Sequence, residues 1–314
     1  MRIKHGLHTT PRAVTVASSE KIWGNTVAIT INESTVVAEN IAAKVNRQRL
    51  LTAQHTQDGK VLLDRLTVEA GGAHALNIGA GDLAWVQILE GAATLTHVSG
   101  VNSATHDSAT ESLTHAHIVF LPPGFAGALA TINGVTLLYA TVPNAARFDA
   151  AFTQSPPPFK IVDWTREPVL DSEHDARKRI YMVTPTLFGT KAIKGEMIIY
   201  PPGTQASNHH HEGAAHFMYV LKGKGTAYAN ESPIPVRKGD VIYYDDRERH
   251  YLRSEGREDM VFVEFFVPGL YKTIWAPGAA ICTWTPTGRS VSGQKPLREI
   301  AKHSSAEAAN AHDV

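Results

Sequence analysis

Short apolar runs punctuated by glycine and proline dominate the chain: VLLDRLTVEAGG, WVQILEGAATLTHV, HIVFLPPG and VTLLYATV in the first half, then RIYMVTP, IKGEMIIYPPG, HFMYVLKGKGTAYA, GDVIYYDD and MVFVEFFVPG in the second. They are rich in β-branched and aromatic residues, and no long stretch with helical periodicity lies between them. The pattern predicts an all-β protein whose strands close into sandwiches or barrels. Before residue 45 the runs VTVAS and TVAITI predict further strands or a lead-in arm. Pro156, Pro157 and Pro158 cannot join a sheet ladder and predict an extended linker. With 314 residues there is room for two domains. The expected division is 1–155, 156–290 and, where apolar content falls away, a mobile tail over 291–314.

The two halves are related. A shift of 132 residues places Gly71 on Gly203, Asn77 on His209, Gly79 on His211, Ala84 on His216 and Gly91 on Gly223. A second stretch repeats after a longer connection, with Pro122-Pro123-Gly124 aligned on Asp245-Asp246-Arg247 and Gly127 on His250. Every landmark spacing survives in the first half while the histidines are absent, so the fold is expected twice and the site once, in the second half.

The histidines are dense there. In GTQASNHHHEGAAHFMYVLKG, His209 and His211 share one face of a strand, whereas His210 and Glu212 share the other. Gly213 allows a tight turn that returns His216 beside the first two, and a hairpin partner brings in His250. Several imidazoles converging on one point are the usual ligand set of a first-row transition metal. The competing reading is a solvated histidine-rich loop.

These residues resemble the motifs of the cupins. The family's first motif, Gly, five residues, His-x-His, three or four residues, Glu, six residues, Gly, is matched by Gly203, His209, His211 and Gly223, with His216 in place of the Glu. In the second motif Gly239 and His250 match, while Asp245 and Arg247 replace the Pro and Gly. The resemblance implies tandem double-stranded β-helix (jelly-roll) barrels, the first metal-free, and a variant metal site of four histidines. It also implies one divalent metal per chain, with Fe(II) expected first and Mn, Ni, Cu or Zn as alternatives.

Other residues are candidates for chemistry, each with a duller reading beside it. Glu264 alternates in MVFVEFFV onto a face with Met260, Phe262 and Phe266; it is a general base with a raised pKa or the partner of an arginine. Tyr219 and Tyr243 are candidates for the pocket rim or for packing. Arg247 either attracts an anion at the barrel mouth or pairs with Asp245, Asp246 and Glu248 in a charged turn. The aromatic segment GLYKTIWAPGAAICTWTP packs back on the barrel or on a partner chain. His106, His115, His117, His303 and His312 are read as loop or tail residues.

Composition narrows the function. Thirty basic residues balance thirty acidic ones, which argues against a nucleic-acid partner. A single cysteine, Cys282, excludes an internal disulfide and fits a reducing compartment. No apolar signal segment or membrane span is evident, so a soluble cytoplasmic protein with no membrane partner is expected; a homo-oligomer, dimer or tetramer, is expected as well. Four neutral imidazoles leave a divalent charge uncompensated and favour an anionic or enolisable substrate. The leading expectation is a mononuclear dioxygenase that uses O2 on a dicarbonyl or hydroxylated aromatic. The alternatives are a redox-neutral lyase, isomerase, cyclase or decarboxylase, a non-catalytic small-molecule binder, and a closed structural zinc site.

Overall fold

The computed structural model describes residues 28–56, 58–98 and 108–300. VTVAS, His106, His303 and His312 lie outside them. The described chain is almost wholly β, as the apolar pattern predicts, and forms two barrels.

In the first barrel one layer runs in the order Lys160–Asp163, His117–Leu121, Leu83–Val98, Val135–Val142, Leu62–Val68, Val45–Leu51, Glu39–Ala42. The long strand Leu83–Val98 continues into the facing layer, where it pairs with Ser108–Thr114 and Ala126–Ala130. The second barrel has an eight-stranded sheet and a five-stranded sheet. The eight-stranded sheet contains Ala215–Lys222, Met260–Val267 and Lys194–Tyr200 as neighbours. The five-stranded sheet contains His209–Glu212 between His250–Glu255 and Lys272–Trp275.

Each strand of the second barrel sorts its side chains by parity. On Met260–Val267, Met260 and Phe262 enter the barrel interior, whereas Val261, Val263, Phe265 and Val267 face the first barrel. The interface between barrels is a second core: Trp85 lies 4.7 Å from Phe265 and 6.3 Å from Phe217, and Phe120 lies 4.1 Å from Phe188. Trp85 is 1 % exposed, so truncating it to alanine would cost about 3–5 kcal/mol.

The expected division at residue 155 is crossed twice. Strand Ile29–Asn32 pairs with Asp240–Tyr244 of the second barrel, and Lys160–Asp163 pairs with His117–Leu121 of the first. Each barrel is therefore completed by a strand from the other half of the chain. The lead-in strand is pinned at its end, where Glu33 accepts a 2.5 Å hydrogen bond from the Tyr219 hydroxyl and pairs with Arg65 at 3.0 Å. The tail is held further than expected: Arg298 meets Glu167 at 2.5 Å and Ile300 is buried, while 301–314 lie outside the described residues. The aromatic segment packs back on its own barrel, with Lys272–Trp275 against His209–Glu212 and Trp284–Pro286 against Val169–Ser172.

The internal repeat is visible in the backbone. Gly71 and Gly203 have φ of 67° and 82°, and Gly91 and Gly223 have 82° and 75°. A Cβ at Gly91 would meet the Gly134 carbonyl, and one at Gly223 the Asp259 carbonyl, so both strand ends need glycine for the same reason. Among the described residues no helix is long and apolar enough to cross a membrane.

Candidate metal centre

The four histidines meet inside the second barrel. His209 lies directly opposite His250 on neighbouring strands of the five-stranded sheet, and His216 comes from the facing sheet. Ring centroids are 4.8 Å apart for His209 and His211, 4.4 Å for His209 and His250, 4.9 Å for His211 and His216, and 4.5 Å for His216 and His250. Two overlapping trios, His209–His211–His250 and His211–His216–Glu264, each bring their ligand atoms within 4.8 Å of one another.

The electrostatics suit ligands. Burial keeps the imidazoles uncharged, holding His209 down at about 4 and His211, His216 and His250 well below the ordinary histidine value. Outer partners fix the rings from behind. Nδ1 of His209 lies 2.8 Å from the Ser207 carbonyl and Nδ1 of His250 lies 2.8 Å from the Glu248 carbonyl, both requiring the Nδ1–H tautomer. Nδ1 of His211 lies 3.2 Å from the Thr273 hydroxyl. Nε2 of His250 and both ring nitrogens of His216 are buried without a hydrogen-bond partner. Orphaned ring nitrogens of this kind are costly in a protein interior, and the unprotonated one on each ring is what a metal ion would satisfy. His210 faces the other way, toward Glu212 at 3.5 Å, as strand parity requires.

A cavity of about 70 Å³ opens beside these rings. Its wall includes Glu264, Glu196, Arg177, Arg179, Tyr271 and Trp284. Glu264 lies opposite Glu196 across paired strands, and its Oε1 is 3.3 Å from Nε2 of His216. Burial first, then the Glu196 charge, raises the Glu264 carboxyl well above the carboxylate range. Behind it, Lys194 is fully buried with Nζ 2.8 Å from the Tyr271 hydroxyl and 3.6 Å from Glu196, and burial lowers it to about 8.

Three residues singled out in the sequence are placed elsewhere. Tyr219 points to the cleft between the barrels, where Glu33 holds it. Tyr243 packs in the interbarrel core, because it is one residue out of phase with Tyr244, whose ring stacks on His216 and His250 at 5.1 and 4.4 Å. Arg247 is 65 % exposed and meets Glu212 and Asp246, the charged-turn reading. Its backbone N–H donates to the His211 carbonyl at 2.8 Å, and its φ is 65°. Gly124, at the same position of the repeat, has φ of 72°.

The arginines, Glu196, Lys194 and Tyr271 were not expected at the site. Their signal lies in RIYMVTP and IKGEMIIYPPG, where Arg179, Lys194 and Glu196 stand in otherwise apolar strands. Charges in such positions are buried only when paired.

Comparison with known proteins agrees with this fold. Residues 196–266 match the model of the Cupin domain. A 67-residue stretch is 33 % identical to an oxalate-binding protein of Thermotoga maritima, covering 21 % of this chain and 55 % of that protein, so the match spans about half of the relative's length. Solved structures of the Bacillus subtilis oxalate decarboxylase superpose over 80 % of both chains at 16 % identity, one variant with a TM-score of 0.63. Another, from work on the Mn(II) centres of that enzyme, gives 0.62. Residues 196–266 thus resemble the Cupin domain, and over 80 % of its length the chain shares the two-barrel fold of those structures.

Proposed function

We propose that the protein is a metal-dependent enzyme of the redox-neutral lyase type, in particular a decarboxylase of a small anionic substrate, with His209, His211, His216 and His250 as the metal ligands. The observation that carries this reading is the convergence of four uncharged imidazoles, three buried and that of His209 half-buried, beside a cavity walled by Arg177 and Arg179. A divalent ion held there, Mn(II) ahead of Fe(II), would supply Lewis-acid polarisation of a substrate oxygen. The oxalate-binding relative and the oxalate decarboxylase structures support a small carboxylate as ligand. They lend no support to the dioxygenase expectation.

The chain's own residues account for the remaining needs of such a reaction. The arginines attract the anion, and the apolar barrel interior excludes bulk water. When a carboxylate leaves as CO2, its bonding electron pair stays on the neighbouring carbon, which must take up a proton. Glu264, whose carboxyl burial raises well above the ordinary carboxylate range and whose Oε1 lies 3.3 Å from His216, is placed to give it. The first barrel, with Asn77, Gly79, Ala84 and Gly127 at the ligand positions, serves as a structural partner.

The test is metal analysis of the purified protein combined with CO2 release from a panel of small carboxylates, with and without O2. Bound Mn(II) and anaerobic turnover support the proposal. Strictly O2-coupled substrate oxidation would return the dioxygenase reading, and tight retention of oxalate without turnover would make the protein a binder.

A further inference from the structure

Leu83, Trp85, Gln87 and Leu89 alternate along strand Leu83–Val98 and share its interface side, where the three apolar ones enter the core between the barrels. Gln87 is the polar exception. On the neighbouring strands it lies between Ile118 and Leu138, both buried in the same core. It is 2 % exposed and its side chain makes no hydrogen bond. The amide oxygen is enclosed without a donor, whereas the amide nitrogen, equally unpartnered, keeps surface on the cleft that the residue lines. An amide taken out of water without partners is destabilising, and a leucine would continue the row without that cost.

The cleft there holds a cavity of about 160 Å³, against about 70 Å³ beside the histidines. Met197 and Leu221 line it from the second barrel, and Trp164, whose indole N–H is spent on the His115 carbonyl at 2.9 Å, adds an aromatic wall. The acids and bases of the wall are matched: Arg65 meets Glu33 at 3.0 Å, Lys238 meets Glu90 at 3.3 Å, and the Tyr219 hydroxyl is committed to Glu33. An ion would find no unmatched carboxylate, lysine or arginine there. The cleft is also distinct from the metal cavity. On strand Lys194–Tyr200, Glu196 and Ile198 line the metal cavity and Met197 the cleft; on Ala215–Lys222, Met218 lines the first and Tyr219 the second. One sheet walls both, with a different face to each.

We infer that the interbarrel cleft is a second binding site, for a small neutral aromatic molecule that carries one hydroxyl group. Its size follows from the volume, since a cavity of about 150 Å³ holds a benzene-sized molecule. Its neutrality follows from the matched charges of the wall, and its apolar body from Met197, Leu221 and Trp164. The hydroxyl answers Gln87. An amide presents N–H or, turned over, its carbonyl, and a hydroxyl both donates and accepts, so it can pair with either. The site binds without reacting and does not depend on the metal.

Phenol and toluene make the discriminating pair of probes, because they share a shape and differ by a hydroxyl in place of a methyl group. Binding of each to the full-length protein is followed by ligand-observed NMR titration, with metal content and Tm determined on the same samples. Phenol should bind saturably with a Kd of about 1 mM or tighter, within reach of a ligand of its size. Gln87→Leu keeps the volume and removes the amide, so the ratio of phenol to toluene affinity should fall by about fivefold, the worth of one hydrogen bond. Leu221→Trp, at the half-buried edge of the cleft, fills the cavity and should weaken both probes by more than about tenfold while metal content and Tm stay at the wild-type values. Absence of saturable phenol binding overturns the assignment, as does an unchanged ratio in Gln87→Leu or undiminished binding in Leu221→Trp. Phenol binding that disappears when the metal is removed overturns it too, because it would put the probe at the histidines.

Discussion

Nε2 of His216 and Oε1 of Glu264 lie 3.3 Å apart, close enough for an ion pair, yet the contact does not have hydrogen-bond geometry and the imidazole keeps both nitrogens unpartnered. The carboxyl that the cupin motif places at position 216 has its counterpart here on a different strand. The site thus joins four imidazoles to one carboxyl that is available as a neighbour of the ligands.

His211 belongs to both overlapping trios and should be the least dispensable ligand. His211→Ala is expected to weaken metal binding beyond the roughly 10- to 100-fold typical of losing an outer partner. His210→Ala, on the opposite face, should leave the stoichiometry at one metal per chain. Metal analysis after dialysis checks both, and retention of metal by His211→Ala would refute the ligand assignment.

Acidification should unfold the metal-free protein earlier than the loaded one. Each buried imidazole is neutral when folded and titrates near 6.5 when unfolded, so the stability it contributes is present above 6.5 and is lost as pH falls through the folded value. For His209 that window runs from 6.5 to about 4 and is worth about 3 kcal/mol. Three buried carboxyls act in the opposite sense: burial pushes Glu248 up to about 7, Asp64 up to about 6 and Glu264 well above the carboxylate range, so their contribution declines as pH rises. With four imidazoles against these three, the Tm of the metal-free protein should drop between pH 7 and 5. A Tm that is flat or rising over that range would contradict the burial of neutral rings.

Arg247→Gly should stabilise the protein slightly or leave it unchanged. The residue adopts φ of 65°, which costs a non-glycine residue about 1 kcal/mol, and its ion pairs are exposed. Its contact with the site is through the backbone N–H, which glycine keeps. Thermal melts and anion affinity measured together provide the check; a large loss of affinity would mean that the side chain reaches the ligand after all.

Tyr219→Phe should lower stability by about 1–2 kcal/mol without changing metal content, because it removes a hydrogen bond to a carboxylate at the junction of the lead-in strand and both barrels. Denaturant unfolding gives the magnitude. Lost metal with unchanged stability would place the tyrosine at the centre instead.

Much of this was legible in the chain because β-strand parity is a rigid rule. Separating His209 and His211 from His210, and Glu264 from Val263 and Phe265, requires only alternation, and the structure follows it. Of the two readings of Tyr243, rim or packing, the structure takes the packing one: its register with Phe217 and Ile29 sets it in the interface, and Tyr244 takes the place beside the rings. Arg179 and Glu196 were hidden because they come from strands preceding the histidine motif, with Arg177 just before the first of these, and nothing local says which strands will be neighbours. The pairing of Ile29–Asn32 with Asp240–Tyr244 spans over two hundred residues and is equally invisible to local pattern.

That exchange of strands makes the barrels a knot of custody rather than two beads on a string. A gene cut at the Pro156–Pro158 linker yields two pieces, each holding a strand that the other lacks: the first keeps Ile29–Asn32, the second Lys160–Asp163. Neither piece can close its own sheet, but the two together contain every strand. Co-expressed halves should therefore find each other and assemble, whereas either half made alone would present an open sheet edge to whatever it meets first.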